Sequence, residues 1–235
     1  MPNLLALDTS GQSCSVALLG SAVGQDGQVI SRHEVAQRSH TQRLLPMIAE
    51  VLQEANIKSR ELDAIVYGRG PGSFTGIRIA AGVAQGLSFG LDIPLLPVST
   101  LAAMALQAQQ EYSDCAYLCS LDARMNEVYA GVYRVDVQMP GLVTELQREQ
   151  VLSPGLVVMP ELPFVVCGSG MQVADFPAYI VDQALACLPD MEPMAQHMVT
   201  LGAAQLAQDK GQLPEHGLPV YLRDEITWQK LPRYQ

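Results

Sequence analysis

The chain of 235 residues lacks any uninterrupted apolar run of the roughly 18–20 residues that a membrane-spanning helix requires. Its opening stretch, MPNLLALDTSG, has no basic segment ahead of an apolar one, so no secretory leader is expected. Basic side chains are scarce: 14 Lys and Arg face 24 Asp and Glu, a formal net charge of −10. Independent binding to nucleic acid is therefore disfavoured, because phosphate contacts need a basic surface. The five cysteines, Cys14, Cys115, Cys119, Cys167 and Cys187, form no CxxC pair and are odd in number. They read as reduced, mostly buried thiols of a cytoplasmic protein. The four histidines, His33, His40, His197 and His216, include no pair at i,i+4 and so offer no zinc-type spacing. Structural or surface roles are expected for them.

Catalytic signatures are missing too. The stretch IVYGRGPGSFTGIRIAAGVAQGL (65–87) runs from an apolar strand through a glycine turn into a helix, the layout of a phosphate-binding loop. A Walker loop needs a lysine after its last glycine, and here Ile77 and Arg78 follow Gly76. A GxGxxG fingerprint would need a third glycine where Thr75 stands. A GxSxG elbow around Ser73 would need glycines where Pro71 and Thr75 stand. A tight strand-to-helix turn made by Gly70, Pro71 and Gly72 is the favoured reading, with anion capture by the amides of the helix start as the alternative.

What is present is a globular composition, 49% apolar and 16% charged, long enough for one large core or two modest ones. Strands are expected at Leu4–Thr9, Cys14–Leu19 and Val29–Ala36, the last two separated by a turn at GQDGQ. Leu44, Leu45, Ile48, Val51, Leu52 and Ala55 recur at helical spacing, and Pro46 makes that helix start near Gln42–Leu44 or bend. A strand at Ala64–Tyr67 and a helix at Gly76–Gly90 complete a βββαβα unit. A strand at Leu95–Val98 and a helix at Thr100–Gln110 follow. LALDTSGQSCSVALL (5–19) is echoed by CSLDARMNEVYAGVY (119–133), and PFVVCGSGM (163–171) repeats the strand-into-glycine pattern of IVYGRGPG. LQREQVLS is a candidate strand, and helical segments are expected near 176–187 and 193–210. Two βββαβα halves around a cleft make the two-domain α/β architecture of the actin/hexokinase/Hsp70-like (ASKHA) ATPases. The domains are expected over 1–107 and 108–235, and the last helix could pack back on the first. Residues 1–110 carry 7 basic against 8 acidic side chains, and 111–235 carry 7 against 16. The near-neutral first half is the expected place for a protein contact.

Gly82 and Gly86 lie inside the helix after Ser73, each costing about 0.8–1 kcal/mol relative to alanine. With Ala80, Ala81 and Ala84 they make a shallow side that tolerates close approach by the chain's own sheet or by a partner helix, and both can hold at once, since a helix has two sides. Phe74, Ile77 and Arg78 are expected at its edge. The apolar band of the preceding helix is wide enough for a buried face or for a patch left to another chain.

Together, LLALDTSGQSCSVALL, HTQRLLPMI, YGRGPGSFTGIRIAAGVAQGL, VSTL, DARMNEVY and PVYLRDEITWQKLP resemble the bacterial TsaB (YeaZ) family from the first strand to the tail. Several blocks also resemble a shortened TsaD, the family that transfers the threonylcarbamoyl group to adenosine 37 of tRNAs reading ANN codons. The resemblance implies a non-catalytic subunit that binds TsaD as a heterodimer and helps recruit the ATPase TsaE, while TsaC or a homologue supplies threonylcarbamoyl-adenylate. It implies that tRNA is reached through the complex, with at most a minor contact from the tail YLRDEITWQKLPRYQ, and that the isolated chain pairs with itself. The implied interface comprises Leu44, Leu45, Ile48, Leu52, Phe74, Ile77, Arg78, Ala81 and Gln85, and either Ile77→Glu or Leu45→Asp is expected to block pairing. Where TsaD carries an HxxxH metal site, PVSTLAAM puts Thr100 and Met104, poor ligands for a divalent metal. Arg124 and Met125 stand where its second-half phosphate loop has small residues. No metal, cofactor or catalytic residue is expected. An independent ASKHA-type ATPase or small-molecule kinase, resting on Asp8 and the glycine turns, is the alternative.

Overall fold

A computed structural model describes residues 1–20, 29–36, 39–139 and 141–223. The first half is built on a five-stranded sheet. Leu4–Asp8 (β1), Ser13–Leu19 (β2) and Val29–Val35 (β3) form an antiparallel meander, and Ala64–Gly70 (β4) and Leu95–Ser99 (β5) add in parallel on the other side of β1. The order is β3-β2-β1-β4-β5. β1 and β2 are buried on both faces and therefore read as continuous apolar or small-residue runs rather than alternating ones.

One face of this sheet is covered by helices His40–Ala55 (α1) and Phe74–Leu91 (α2), which share a core of Leu5, Val16, Met47, Val51, Ile65 and Ala80. Pro46 lies inside α1 on its exposed side, so the helix begins at His40, ahead of the expected start. Arg43 of α1 ties it to β3 by donating from Nε and Nη2 to the two carboxylate oxygens of Glu34, at 2.8 and 2.6 Å.

The second sheet repeats the first. Ala116–Arg124 (β6), Glu127–Val135 (β7), Val143–Leu152 (β8), Phe164–Cys167 (β9) and Ala186–Leu188 (β10) lie in the order β8-β7-β6-β9-β10. Each junction has the same sense as its counterpart: antiparallel on one side of β6, parallel on the other. The sequence echo is therefore β1–β2 against β6–β7, and β4 against β9, which is the duplicated α/β fold expected from the sequence. The second half is thinner than a full βββαβα unit. A single 3₁₀ turn, Pro154–Leu156, stands where the first half has α1, and a six-residue helix, Ala178–Gln183 (α4), stands where it has α2. The last two residues of the 176–187 segment, with Leu188, form β10 instead of helix, because they continue the sheet beside β9.

The halves exchange helices. Thr100–Ala108 (α3) follows β5 but lies against β6 and β7, whereas Ala195–Ala207 (α5) follows β10 and lies against β1, β2 and β5. The last helix thus packs back on the first sheet. Gly202 permits this approach, since a Cβ there would sit 2.3 Å from Val66 Cγ2, and Gln205 Nε2 donates to the Pro97 carbonyl at 3.0 Å. The resulting core between the sheets is continuous, with Leu4, Val66, Leu101, Met198, Cys119 and Val165 in one cluster.

A buried polar node joins the halves at the back of this core. Glu149 of β8 pairs with Arg69 of β4 at 3.0 Å, accepts from the Tyr133 hydroxyl at 2.8 Å, and accepts from the Ser99 hydroxyl. Removing the carboxylate would leave a partly buried guanidinium and two hydroxyls without their acceptor. Glu149→Ala is expected to lower unfolding free energy by about 2 kcal/mol, measured by urea titration. The GQDGQ turn and the tail beyond residue 223 lie outside the described residues.

Candidate functional site

The β1–β2, β6–β7 and β4–α2 turns converge on a cleft of about 1160 Å³, lined by Ser10, Gln12, Ser73, Asp122, Arg124 and Glu192 among others. In shape it could hold a small molecule. Several of the donors around it are paired within the chain. The Ser10 amide donates to Asp8 Oδ2 at 3.0 Å, the Ser73 amide to the Ser10 carbonyl at 2.8 Å, the Asp122 amide to Ser169 Oγ at 3.2 Å, and the Arg124 amide to Asp122 Oδ1 at 2.7 Å. These four amides are therefore not free to cradle a phosphate. The Arg124 guanidinium also pairs with Asp122 at 3.2 Å, at an exposed position on this wall.

The glycine turn that resembled a phosphate loop is a packing device. Gly76, in the first turn of α2, sits against the end of β1, where a Cβ would come within 1.9 Å of the Thr9 carbonyl oxygen. The Thr9 hydroxyl donates to the Gly76 carbonyl at 2.6 Å, and Ser73 Oγ caps the helix by accepting from the Gly76 amide at 3.4 Å.

Asp8 is 1% exposed, with Oδ2 held by the Ser10 amide and hydroxyl while Oδ1 has no hydrogen-bond partner among the described residues. Burial pushes its pKa up to about 7; the bonds from Ser10 oppose the rise and the charge of Glu192 adds to it. At the positions matching a TsaD metal site, the Thr100 hydroxyl donates to the Pro71 carbonyl and Met104 reaches Gly168, both side chains being fully buried. Among the described residues no group of three His, Cys, Asp or Glu is placed to hold a metal ion, and no helix is long and apolar enough to cross a membrane. All five cysteines are free thiols, four of them buried.

The outward side of α2 is different. Its small residues are divided between two sides. Ala80, Ala81 and Ala84 face the sheet, whereas Gly82, Gly86 and Gly90 face outward with no described atom within 4 Å of where a Cβ would stand. Phe89, 80% exposed, and Phe74, 50% exposed, flank this glycine track.

The nine residues expected at an interface divide accordingly. Leu44, Ile48, Ile77 and Ala81 are buried in the chain's own core, because α1 and α2 turn them toward the first sheet. Leu45, Phe74 and Arg78 are exposed, and Leu52 and Gln85 are half-buried at the margin. Ile77 is 2% exposed, so Ile77→Glu would probe folding, while Leu45→Asp remains a surface test.

Three further features carried no expectation from the sequence. Phe89 follows Gly82 and Gly86 at i+7 and i+3, a spacing that could have revealed it. Tyr221 and Arg223 come from a segment without periodicity, and the Arg69–Glu149 pair joins residues 80 positions apart, so neither left a local signal.

The model of the family described as "TsaD: tRNA N6-adenosine threonylcarbamoyltransferase" matches residues 28–230. The chain is 39% identical to the tRNA threonylcarbamoyladenosine biosynthesis protein TsaB of Escherichia coli K12, over 97% of this chain and 98% of that protein. It is likewise 39% identical to the TsaB of Haemophilus influenzae, over 97% of each. The solved structure of YeaZ from Pseudomonas aeruginosa superposes with a TM-score of 0.85 at 40% identity, covering 94% of this chain and all of that one. The chain therefore belongs to the TsaD-type family of tRNA threonylcarbamoyladenosine biosynthesis proteins and, within it, to the TsaB (YeaZ) branch.

Proposed function

We propose that the chain is a non-catalytic subunit of the machinery that forms threonylcarbamoyladenosine in tRNA, and that it docks the catalytic TsaD through α2 and the adjacent face of α1. The observation that carries this reading is the outward glycine track. Gly82, Gly86 and Gly90 face open space among the described residues, yet a helix-interior glycine costs about 0.8–1 kcal/mol relative to alanine. Nothing described within the chain offsets that cost. A second helix approaching closely would. The flanking Phe74, Phe89 and Leu45 supply apolar anchors for such a contact, and the first half carries little net charge to oppose it.

The committed amides of the cleft, the buried Thr100 and Met104, and the paired Arg124 support the absence of threonylcarbamoyl transfer and ATP turnover by this chain alone. The same face would pair two copies of the chain in isolation, since a twofold contact needs only one self-complementary patch. Recruitment of the ATPase TsaE by the assembled pair, and contact with tRNA through partners, extend this reading by way of the family. The test is reconstitution from purified components. Modified tRNA is expected only when this chain accompanies the catalytic and adenylate-forming proteins, and the chain alone is expected to release phosphate from ATP no faster than buffer. Brisk turnover by the isolated chain would favour an ATPase on the same fold and overturn the proposal.

A further inference from the structure

We infer that residues 212–223 form a clasp that mechanically links the outer face of α2 to the second half of the molecule across one mouth of the cleft. After α5 the chain does not stop at the first sheet. Gln212 bridges to Leu95 of β5 through two backbone bonds of 2.9 and 2.8 Å. The Pro214 carbonyl then accepts from Gln85 Nε2 at 3.1 Å, on α2. The Leu218 carbonyl accepts from the Tyr67 hydroxyl at 3.3 Å, and the Val220 amide donates to the Arg69 carbonyl at 2.8 Å, at the end of β4.

The segment next seats Tyr221 on α2. Arg78 Nε donates to the Tyr221 hydroxyl at 2.8 Å, and the guanidinium lies 3.7 Å from the Phe74 ring centre and 5.4 Å from that of Tyr221. The two rings are 5.8 Å apart. The three side chains thus restrain one another, since the guanidinium meets both rings and holds the Tyr221 hydroxyl at once. Two positions on, Arg223 has crossed to the β6–β7 hairpin. It pairs with Glu127, donates to the Ala123 carbonyl at 3.2 Å, and approaches the Met125 sulfur at 3.4 Å. Phe74 and Met125 both line the cleft, from opposite halves.

The anchors are thus Tyr221, held by Arg78 and Phe74 of the first half, and Arg223, paired with Glu127 of the second, separated by one residue of chain. Such a short, doubly anchored segment cannot let one half move without pulling on the Phe74–Arg78–Tyr221 stack. The conformation of the exposed face of α2 and the spacing of the halves are two readings of one state.

Hydrogen–deuterium exchange of the isolated full-length chain tests the link without any partner. Arg223→Ala is expected to raise exchange in peptides covering residues 122–129 at least threefold. Arg78→Ala, altered only on the first half, is expected to raise the same peptides at least twofold and to leave β2 unchanged. The double variant should exchange no faster than Arg223→Ala, since both break one linkage. If Arg78→Ala proves unfolded by circular dichroism, Arg78→Lys, which keeps the charge and loses the planar stack, takes its place. Exchange at 122–129 that ignores Arg78 variants, or that fails to respond to Arg223→Ala, or that adds in the double variant, overturns the clasp.

A second arm rests on the docking reading above: Arg223→Ala, remote from α2, should weaken pairing with the catalytic partner about fivefold. Lost exchange coupling with intact pairing removes the clasp alone. Intact coupling in a chain that never pairs removes the docking reading alone.

Discussion

Gly86→Leu is expected to weaken pairing with the catalytic partner about 100-fold, equivalent to ~2.8 kcal/mol, while leaving the isolated chain at least as stable as the wild type. The two effects separate because of where this glycine points. No described atom lies within 4 Å of its missing Cβ, so a side chain added there has room among the described residues. Leucine in place of a helix-interior glycine recovers close to the full 0.8–1 kcal/mol of propensity, and for a chain of this size that raises Tm by about 2–4 °C. In a close-packed helix pair the same side chain would separate the backbones and strip the flanking phenylalanines of their contacts. Overpacking of this kind costs about 1–3 kcal/mol at a single site before the lost neighbours are counted. Gly86→Ala should show the same opposition in miniature: stabler alone, about tenfold weaker in the pair. Phe89→Ser should leave stability within about 0.5 kcal/mol, as expected of an 80% exposed side chain, and still weaken pairing. Calorimetry of each variant with the purified partner, beside thermal melts of the chain alone, reads both quantities. Wild-type affinity in Gly86→Leu would move the contact elsewhere. A fallen Tm would mean that the glycine serves the monomer.

This opposition also explains why the surface was only partly legible in the sequence. The pattern of glycines and alanines in α2 marks an unusually shallow helix, but small residues carry no arrow. Burial of Ala80, Ala81 and Ala84 toward the sheet and exposure of Gly82, Gly86 and Gly90 emerge only once the helix phase is fixed. Leu44, Ile48 and Ile77 suffered the opposite ambiguity, since an apolar residue in an amphipathic helix belongs either to the chain's own core or to a neighbour's. Here the first sheet takes all three. The duplicated architecture was more accessible. Strand pairs that return after a short turn leave a periodic record, and 5–19 and 119–133 occupy equivalent strands, β1–β2 and β6–β7. What the sequence could not convey is long-range exchange: α5 crossing to the first sheet, Glu149 meeting Arg69, and Tyr221 stacking on Arg78 each join residues more than 75 positions apart. None has a local period or spacing to betray it. β10 was hidden for a different reason, since three residues are too few for either period to register.

A second large effect concerns pH, where two buried groups oppose each other so closely that the wild type should conceal both. Asp8 carries a pKa raised from 3.8 to about 7, with burial as the leading cause. Between those values the folded chain holds a proton that the unfolded chain has released. Its contribution is therefore fully present below about pH 4 and is lost as pH rises through 7. His197, 4% exposed on α5, has its pKa lowered from 6.5 to about 4 by burial, so between those values the unfolded chain holds the extra proton. Its contribution is present above pH 6.5 and is lost as pH falls toward 4. Each slope is about 1.4 kcal/mol per pH unit, with opposite sign, so wild-type stability should be nearly flat from pH 4.5 to 6.5. Asp8→Asn removes one slope: its stability should climb with pH, by on the order of 3 kcal/mol over that group's whole range. His197→Leu removes the other, and its stability should fall between pH 4.5 and 7.5 by a similar or slightly larger amount. Asparagine keeps an acceptor for the Ser10 amide and hydroxyl but buries an amide nitrogen where Oδ1 has no partner, so the gain of Asp8→Asn over the wild type at pH 7.5 is expected to be smaller than the pH-dependent change itself. Urea unfolding at pH 4.5, 5.5, 6.5 and 7.5 distinguishes these curves. Parallel curves for all three proteins would show that neither group titrates away from its ordinary value. Asp8 ends β1 beside the cleft, and a pKa raised to about 7 predicts that its ionisation costs the fold stability near neutral pH, so retention of the carboxylate calls for a cause other than stability. If Asp8→Asn also pairs and supports tRNA modification normally, that retention has no counterpart in docking, and the Asp8 charge can be removed without touching the face of α2.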